Sequence, residues 1–352
     1  MMKKIYFVLP GFSRRPIGGY KIILKYANLL ASENYDVGIV YLEGSRYPKY
    51  SWKWLILNYW TKKGPAWIKL NKAIQTYTIK DFKKSKIVND SEDIAIATAV
   101  ETVAPTESIF SNAKKFYFIQ DLEDWNVDKD YLFETYNKNF TNITISRWLK
   151  EVVDNHTTGN KDAEYIRNPI DINAYRVIKP IEERNPFKIG MLYHKAPHKG
   201  SRETLKVIIN LKKKYPQLKL IMFGTAEIPK GLPKWITYHK DATQDDTIKI
   251  YNDVSTFVSG TIKEGFGLTG LEAMACGAAL VSTDYLGVRD YAVNEKNSLL
   301  SPVRDYAALS NNIIKIVENN ELRWKLANNG VKTSKDYSWE EAYKKFKEIV
   351  FK

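Results

Sequence analysis

The chain has 352 residues, 44% of them apolar and 27% charged, which excludes a disordered protein and exceeds what one ordinary core organises. The formal net charge of +14 fits simple solubility or attraction to an anionic partner, and does not choose among nucleic acid, a phosphorylated substrate and a membrane surface. One cysteine, Cys276, excludes an internal disulfide and fits a reducing cytosol, and no stretch of about 18 uncharged apolar residues offers a spanning helix.

Taken in order, "MMKKIYFVLPGF" reads as a first strand rather than a signal peptide. Pro10 and Gly11 stop its apolar run, and no small-residue cleavage site follows. "GGYKIILKYANLLASEN" has apolar residues at helical spacing, and "DVGIVYL" is a second strand. The runs "EDIAIATA", "KKFYFIQD" and "TNITIS" are further short strands. A charged run between Pro180 and Pro186, "VIKPIEERNPF", predicts the joint between two domains. Beyond it the rhythm repeats: strand "PFKIGML", helix "SRETLKVIINLKKKY", strands "LKLIMFG" and "VSTFVSG", a helix after Gly267, strand "GAALVST", then three helical segments. Strand–helix alternation twice over predicts two parallel-sheet, Rossmann-like domains. Their expected bounds are 1–180 and 181–336, with a closing helix over 337–352 that packs back on the first domain.

One segment of the first domain, about 46–75, departs from this rhythm. It mixes Trp52, Trp54, Tyr59, Trp60 and Trp67 with Lys49, Lys53, Lys62, Lys63, Lys69 and Lys72, and contains no acidic residue. Such a composition suits an insertion packed on its own domain, contact with a membrane or a lipid-linked molecule, or stacking on single-stranded nucleic acid.

The chemistry concentrates in "TIKEGFGLTGLEAMACG", where a strand leads into a glycine loop and then a helix starting at Leu268 or Thr269. Gly265 and Gly267 permit backbone angles closed to other residues. The first N–H groups of the helix carry the positive end of its dipole, a ready site for phosphate. Glu264 precedes the loop and Glu272 follows it, so two acceptors flank a diphosphate clamp. That pattern suits a nucleotide sugar, with ribose at one end and sugar at the other.

This stretch resembles the Glu–seven residues–Glu motif of the family 4 retaining glycosyltransferases, and the likeness covers nearly the whole chain. The resemblance implies the GT-B fold: α/β, two Rossmann-like domains with parallel sheets facing across a cleft. Thr261 matches the Ser or Thr before the loop, and "IRNPIDINAY" resembles the family's NGID turn, with Asn168 and Asp171 matching. "SRWLKEVV" resembles its serine-led helix and "YSWEEAYKKFKEIV" its final helix. By this resemblance Glu264 binds donor-sugar hydroxyls, Glu272 binds ribose, and Gly265, Phe266, Gly267, Leu268 and Thr269 contact phosphate and sugar. Phe266 also reads as a core plug under the loop.

The family's Arg and Lys, five residues apart in a pattern like "GRLxxxKG", stand here as "IGMLYHKAPHKG". Lys199 matches the Lys. The Arg is missing: Met191 or His194 fills its place, depending on the end from which one counts, and His194 and Lys195 are the candidate substitutes. A lost cation matters because the leaving diphosphate gains charge in the transition state. His198 reads as a solvent-facing loop residue. Gly18 and Gly19 resemble the glycine loop that approaches donor phosphate and acceptor, and Arg14 and Arg15 suit either an anionic acceptor or plain surface. Gln120 stands where many relatives carry a His, similar to a bacterial polysaccharide and rhamnosyltransferase-like subgroup. Same-face attack, in which the leaving phosphate takes the acceptor proton, needs no protein base; Asp121 and Glu123 are then candidates for orienting the acceptor.

"DKD" at Asp128–Asp130 lies in a polar helical run and reads as surface, and the scattered histidines make no metal spacing. The resemblance implies a hexosyl- or deoxyhexosyltransferase, expected to need no metal or cofactor; the alternatives are a GT-B epimerase or phosphorylase and a non-catalytic basic glycan- or nucleic-acid-binding protein. The transferase's donor is a dTDP-, GDP- or UDP-sugar, its acceptor a glycan or lipid-linked glycan, and nucleic acid is not an expected partner. The expected place is the cytoplasm, with peripheral contact at the inner face of the membrane.

Overall fold

A computed structural model of the chain describes residues 3–42, 51–79, 82, 90–125, 127–159, 162–229 and 231–352. Of the basic aromatic segment, residues 46–50, including Lys49, lie outside the described residues, as do the side chains of Trp54 and Lys62.

The chain divides into two compact units. The first comprises Met1–Ile166 with Tyr343–Lys352, and the second Arg167–Ala342. In the first unit, β1 (Lys4–Leu9), β2 (Asp36–Tyr41), β3 (Gln75–Thr78), β4 (Ile94–Ala97), β5 (Lys114–Ile119), β6 (Thr141–Thr144) and β7 (Glu164–Tyr165) form one sheet in the order β3-β2-β1-β4-β5-β6-β7. Helices among the described residues include α1 (Gly18–Ser32), α2 (Trp52–Lys63), α3 (Val100–Ile109), α4 (Lys129–Tyr136) and α5 (Arg147–His156). In the second unit, β8 (Lys188–Leu192), β9 (Lys219–Gly224), β10 (Ile236–Lys240), β11 (Thr256–Ser259), β12 (Ala279–Thr283) and β13 (Ser298–Ser301) take the order β10-β9-β8-β11-β12-β13. Its helices are α6 (Ser201–Lys214), α7 (Gln244–Asp253), α8 (Leu268–Ala275), α9 (Tyr306–Glu318) and α10 (Asn320–Ser334), followed by α11 (Trp339–Val350), whose last residues belong to the first unit.

Strand pairings among the described residues are parallel, as the strand–helix alternation predicts. The central strands are apolar runs because both of their faces are covered: Ile5 to Leu9 are at most 3% exposed. In each sheet the strand order reverses beside the first strand, between β1 and β4 and between β8 and β11. Loops leaving the carboxyl ends of such a strand pair diverge and leave a crevice, so this is where open α/β sheets hold ligands.

The boundary between units falls at 166/167, earlier than the 180/181 joint that the proline-flanked run predicts. Residues 167–180 are held by the second unit. Ile170 N–H donates to the Tyr337 carbonyl at 2.9 Å, and Asn252 Oδ1 accepts from Ile178 N–H at 2.7 Å. The charged run itself is no free linker, because Arg184 within it is 2% exposed. Its guanidinium donates to the carbonyls of Cys276 at 2.6 Å, Lys179 at 2.8 Å, Tyr251 at 3.1 Å and Val254 at 3.2 Å. Burial lowers its pKa from 12.5 to about 10, which leaves it charged at neutral pH.

In the first unit, Phe346 of α11 is fully buried and stacks on Tyr26 with ring centroids 4.5 Å apart, and it lies 6.4 Å from Phe7 and 6.5 Å from Phe118. Burying one such ring contributes about 1.5–3 kcal/mol.

Candidate functional site

The site in the second unit is built from the two loops that leave the switch-point strands β8 and β11. After β8 the chain makes a 3₁₀ turn, Pro197–Lys199, and ends it at Gly200 with φ +59°. Only glycine fits there: a Cβ would lie 1.8 Å from the Gly260 carbonyl oxygen. The His198 carbonyl accepts from Ile262 N–H at 2.7 Å and from Lys263 N–H at 3.3 Å, which stitches the two loops together. The result is an ion pair, Lys199 Nζ to Glu264 Oε1 at 2.8 Å, with side chains 19% and 25% exposed. Lys199, Ser201, Gly260, Thr261, Glu264 and Thr269 line one small pocket.

Glu264 is followed by the glycine loop. Gly267 has φ +90° and caps α8, with no side chain capping the helix and no acidic residue in its first turn. A Cβ on Gly267 would lie 1.9 Å from the Tyr285 hydroxyl, so the loop is packed as well as turned. Tyr291 OH donates to the Gly267 carbonyl at 2.7 Å; its proton being used, Tyr285 OH donates to Tyr291 across 3.2 Å. Phe266 is 2% exposed, with its ring 5.1 Å from Tyr291 and 5.8 Å from Tyr337. Its side chain is the plug under the loop, which leaves any ligand contact to its backbone. Gly265 is buried, while Leu268 and Thr269 are half-buried at the helix start. Thr261 is 5% exposed, its hydroxyl 3.0 Å from Ser259 Oγ, and its carbonyl accepts from the Thr283 hydroxyl.

The two carboxylates differ in surroundings. Glu272 is on the second turn of α8, 7% exposed, and accepts from Tyr251 OH at 3.3 Å. It lies among buried groups: burial first, then its charge, raises the pKa of Tyr251 and Tyr175. The structure therefore brings Glu264 together with Lys199 but does not bring Glu272 into the same pocket lining. Cys276, fully buried at the end of α8, has its thiol pushed up to about 12 by burial and then Glu272, which makes it inert.

His194 is partly buried. Its Nδ1 accepts from Ala196 N–H at 3.0 Å, so the neutral ring carries its proton on Nε2. Burial, then the Lys199 charge, pushes its pKa below the ordinary 6.5, with Glu264 opposing. At neutral pH His194 is thus a neutral donor and not the fixed cation that the sequence pattern lacks. Lys195 is exposed. His198 is half-buried rather than solvent-facing, its pKa lowered by burial and then by Lys199 and His194.

Sequence reading passed over Ser201. Its hydroxyl accepts from His194 N–H at 3.1 Å and donates to the Leu192 carbonyl at 3.2 Å, fastening the loop to β8. The signal was there, a small hydroxyl residue directly after a helix-opening glycine.

In the first unit α1 opens at Gly18 with no side-chain cap, and Gly19 lies against Gln120, whose Oε1 would be 3.0 Å from a Cβ at that position. Gln120 and Asp121 leave the carboxyl end of β5, and Asp121 Oδ1 accepts from Leu122 N–H at 2.8 Å. Glu123 Oε2 accepts from Val100 N–H at 2.6 Å and so caps α3. Burial pushes its carboxyl up to about 8, with the Val100 bond opposing and Glu101 and Asp121 adding. Asp128 is the N-cap of α4, accepting from Asp130 N–H at 2.9 Å.

These two parallel-sheet units define the GT-B fold. Superposition on crystal structures supports it over the full chain: TarM of Staphylococcus aureus matches with a TM-score of 0.80 at 14% identity, covering 100% of this chain and 99% of that one. Anabaena HepE in complex with UDP-glucose matches with a TM-score of 0.75 at 16% identity, 99% of each chain being covered. Residues 176–333 match the family of glycosyl transferases group 1, so the second unit carries a domain of that group. The capsular polysaccharide biosynthesis glycosyltransferase CapM of Staphylococcus aureus is 26% identical over 168 residues, 44% of this chain and 44% of CapM. That relative is therefore matched over less than half of its length. No helix among the described residues is long and apolar enough to cross a membrane.

Proposed function

We propose that the chain is a retaining glycosyltransferase. It moves a hexosyl or deoxyhexosyl group, without a metal, from a nucleotide diphosphate sugar to a glycan or lipid-linked glycan in cell-surface polysaccharide or glycoconjugate synthesis. The observation that carries this reading is the Lys199–Glu264 pair, set at the switch point of the second sheet beside the uncapped start of α8. A diphosphate competes with Glu264 for the Lys199 ammonium and gains the helix dipole as well. Glu264, released, accepts hydrogen bonds from sugar hydroxyls. As the sugar–phosphate bond lengthens, negative charge grows on the diphosphate, and a cation already in place stabilises it without reorganisation. His194 adds one neutral N–H where relatives of the resembled family place an arginine. Glu272, with Thr261 behind the loop, is assigned to the ribose end.

The acceptor is assigned to the first unit, at Gly18, Gly19, Gln120 and Asp121. Gln120 offers no base, which agrees with same-face attack in which the leaving phosphate takes the acceptor proton. The UDP-glucose bound by HepE and the capsular role of CapM support a UDP-hexose donor and a polysaccharide product ahead of the dTDP and GDP alternatives.

Thermal unfolding with a panel of UDP-, GDP- and dTDP-sugars tests the reading. One donor at about 100 times its Kd adds about 2.7 kcal/mol. NMR of the product with that donor then reports a retained anomeric configuration. Stabilisation by none of the panel, or an inverted product, overturns the reading.

A further inference from the structure

We infer that the exposed face of α2 docks the protein onto an anionic lipid surface. Trp52, Leu55, Ile56 and Tyr59 are 67%, 53%, 47% and 61% exposed. Their spacing of three and four residues puts them on one side of the helix. The helix is held from its other side, where Thr61 is fully buried and Trp60 half-buried under the Arg14 guanidinium, 4.9 Å from the ring centroid. The other exposed large apolar side chains among the described residues, such as Ile178 and Ile228, come singly. Between Glu43 and Asp81 the sequence has one arginine and seven lysines and no acidic residue. Lys53, Lys63, Lys69 and Lys72 are exposed along or just after the helix.

Charge and chemistry choose the occupant. Two adjacent aliphatic side chains between a Trp and a Tyr, rimmed by ammonium groups, match a bilayer interface: rings at headgroup depth, aliphatic groups below, cations at the phosphates. A single-stranded nucleic acid would use the rings and the lysines but gives Leu55 and Ile56 nothing to stack on. A second copy paired symmetrically on this face would bring the two cationic rims together.

The face adjoins the acceptor end of the first unit. Trp67 Nε1 donates to the Ser13 carbonyl at 3.1 Å, and the loop holding Ser13, Arg14 and Arg15 runs directly into Gly18 and Gly19. That the docked surface presents a lipid-linked acceptor rests on the glycosyltransferase reading above; the docking does not.

The test is co-sedimentation of the full chain, without nucleotide sugar, with vesicles of phosphatidylcholine alone and of phosphatidylcholine mixed with phosphatidylglycerol. The expected result is binding to the anionic vesicles only, weakened by salt. Lys53→Gln with Lys63→Gln should weaken it about fivefold per lysine. Leu55→Glu with Ile56→Glu should weaken it at least about tenfold, with an unchanged melting temperature since both side chains are exposed. Equal binding to neutral vesicles, or binding untouched by both double variants, overturns the inference. So does no vesicle binding together with capture of a dT oligonucleotide, or self-association, that the same variants abolish. The nucleotide-sugar panel is read separately on the same variants, so failure of docking and failure of the enzymatic reading give different results.

Discussion

Lys199 Nζ stands 2.8 Å from Glu264 Oε1 although the two come from loops after different strands, 65 positions apart in the sequence. On the proposed reading, Lys199 carries the charge that a diphosphate would share with Glu264. Lys199→Ala is expected to cut turnover by about 10²–10³, the scale of one lost transition-state donor, and to weaken nucleoside diphosphate binding. Glu264→Gln is expected to separate the two halves of the donor. Calorimetry should find the nucleoside diphosphate bound as well or better, since its competitor for Lys199 is gone, and the nucleotide sugar bound about tenfold or more weakly. Equal losses for both ligands would sink the division of labour.

His194 should show itself through pH. Its folded pKa lies below 6.5, so the folded chain binds fewer protons than the unfolded one near and below that value. Its contribution to stability is present above 6.5 and is lost as pH falls through the folded pKa, when protonated Nδ1 can no longer accept from Ala196. The melting temperature of wild type should fall faster than that of His194→Ala between about pH 6.5 and pH 5. His194→Arg, which restores a fixed cation, is expected to raise turnover if the neutral ring limits it.

Glu123 should act in the opposite direction. Its carboxyl, ordinarily near 4.5, is pushed up to about 8, so between these values the folded state binds more protons and stability falls as pH rises. Glu123→Gln keeps an oxygen for Val100 N–H and removes the titration. Denaturant titrations should find the variant and wild type alike near about pH 4, and the variant more stable above about pH 8 by on the order of several kcal/mol, the size that a rise from 4.5 to about 8 implies.

Arg184→Ala should unfold the second unit at lower denaturant, by about 3 kcal/mol, because it strips buried carbonyls of their donor and leaves a cavity. Arg184→Lys should recover little of this, since one ammonium cannot reproduce a planar fork. An unchanged midpoint for Arg184→Ala would refute the pinning role.

Arg184 also marks where sequence reading ran out. A run of charges between two prolines reads as a solvated joint, and only the convergence of carbonyls from residues as distant as Cys276 makes it a core. The alternation of strands and helices was legible because local period carries it. Glu264, Gly267 and Lys199 were legible because each sits at an element boundary, where residue type is tied to backbone geometry. Phe266, His194 and Glu272 were only half legible. Their types name a chemistry, but whether a ring lies under a loop and whether a carboxylate meets solvent are set by tyrosines far along the chain, and which ring nitrogen is occupied is set by how the loop turns the Ala196 amide back onto His194.

The placement of Phe346 has a consequence in time. The first unit is the first to leave the ribosome, yet the ring that stacks on Tyr26 and Phe7 arrives only after the whole second unit has been made. During synthesis the earlier unit waits with an open apolar seat while the later one completes itself. The length of the later unit thus sets the earliest moment at which the earlier one can close.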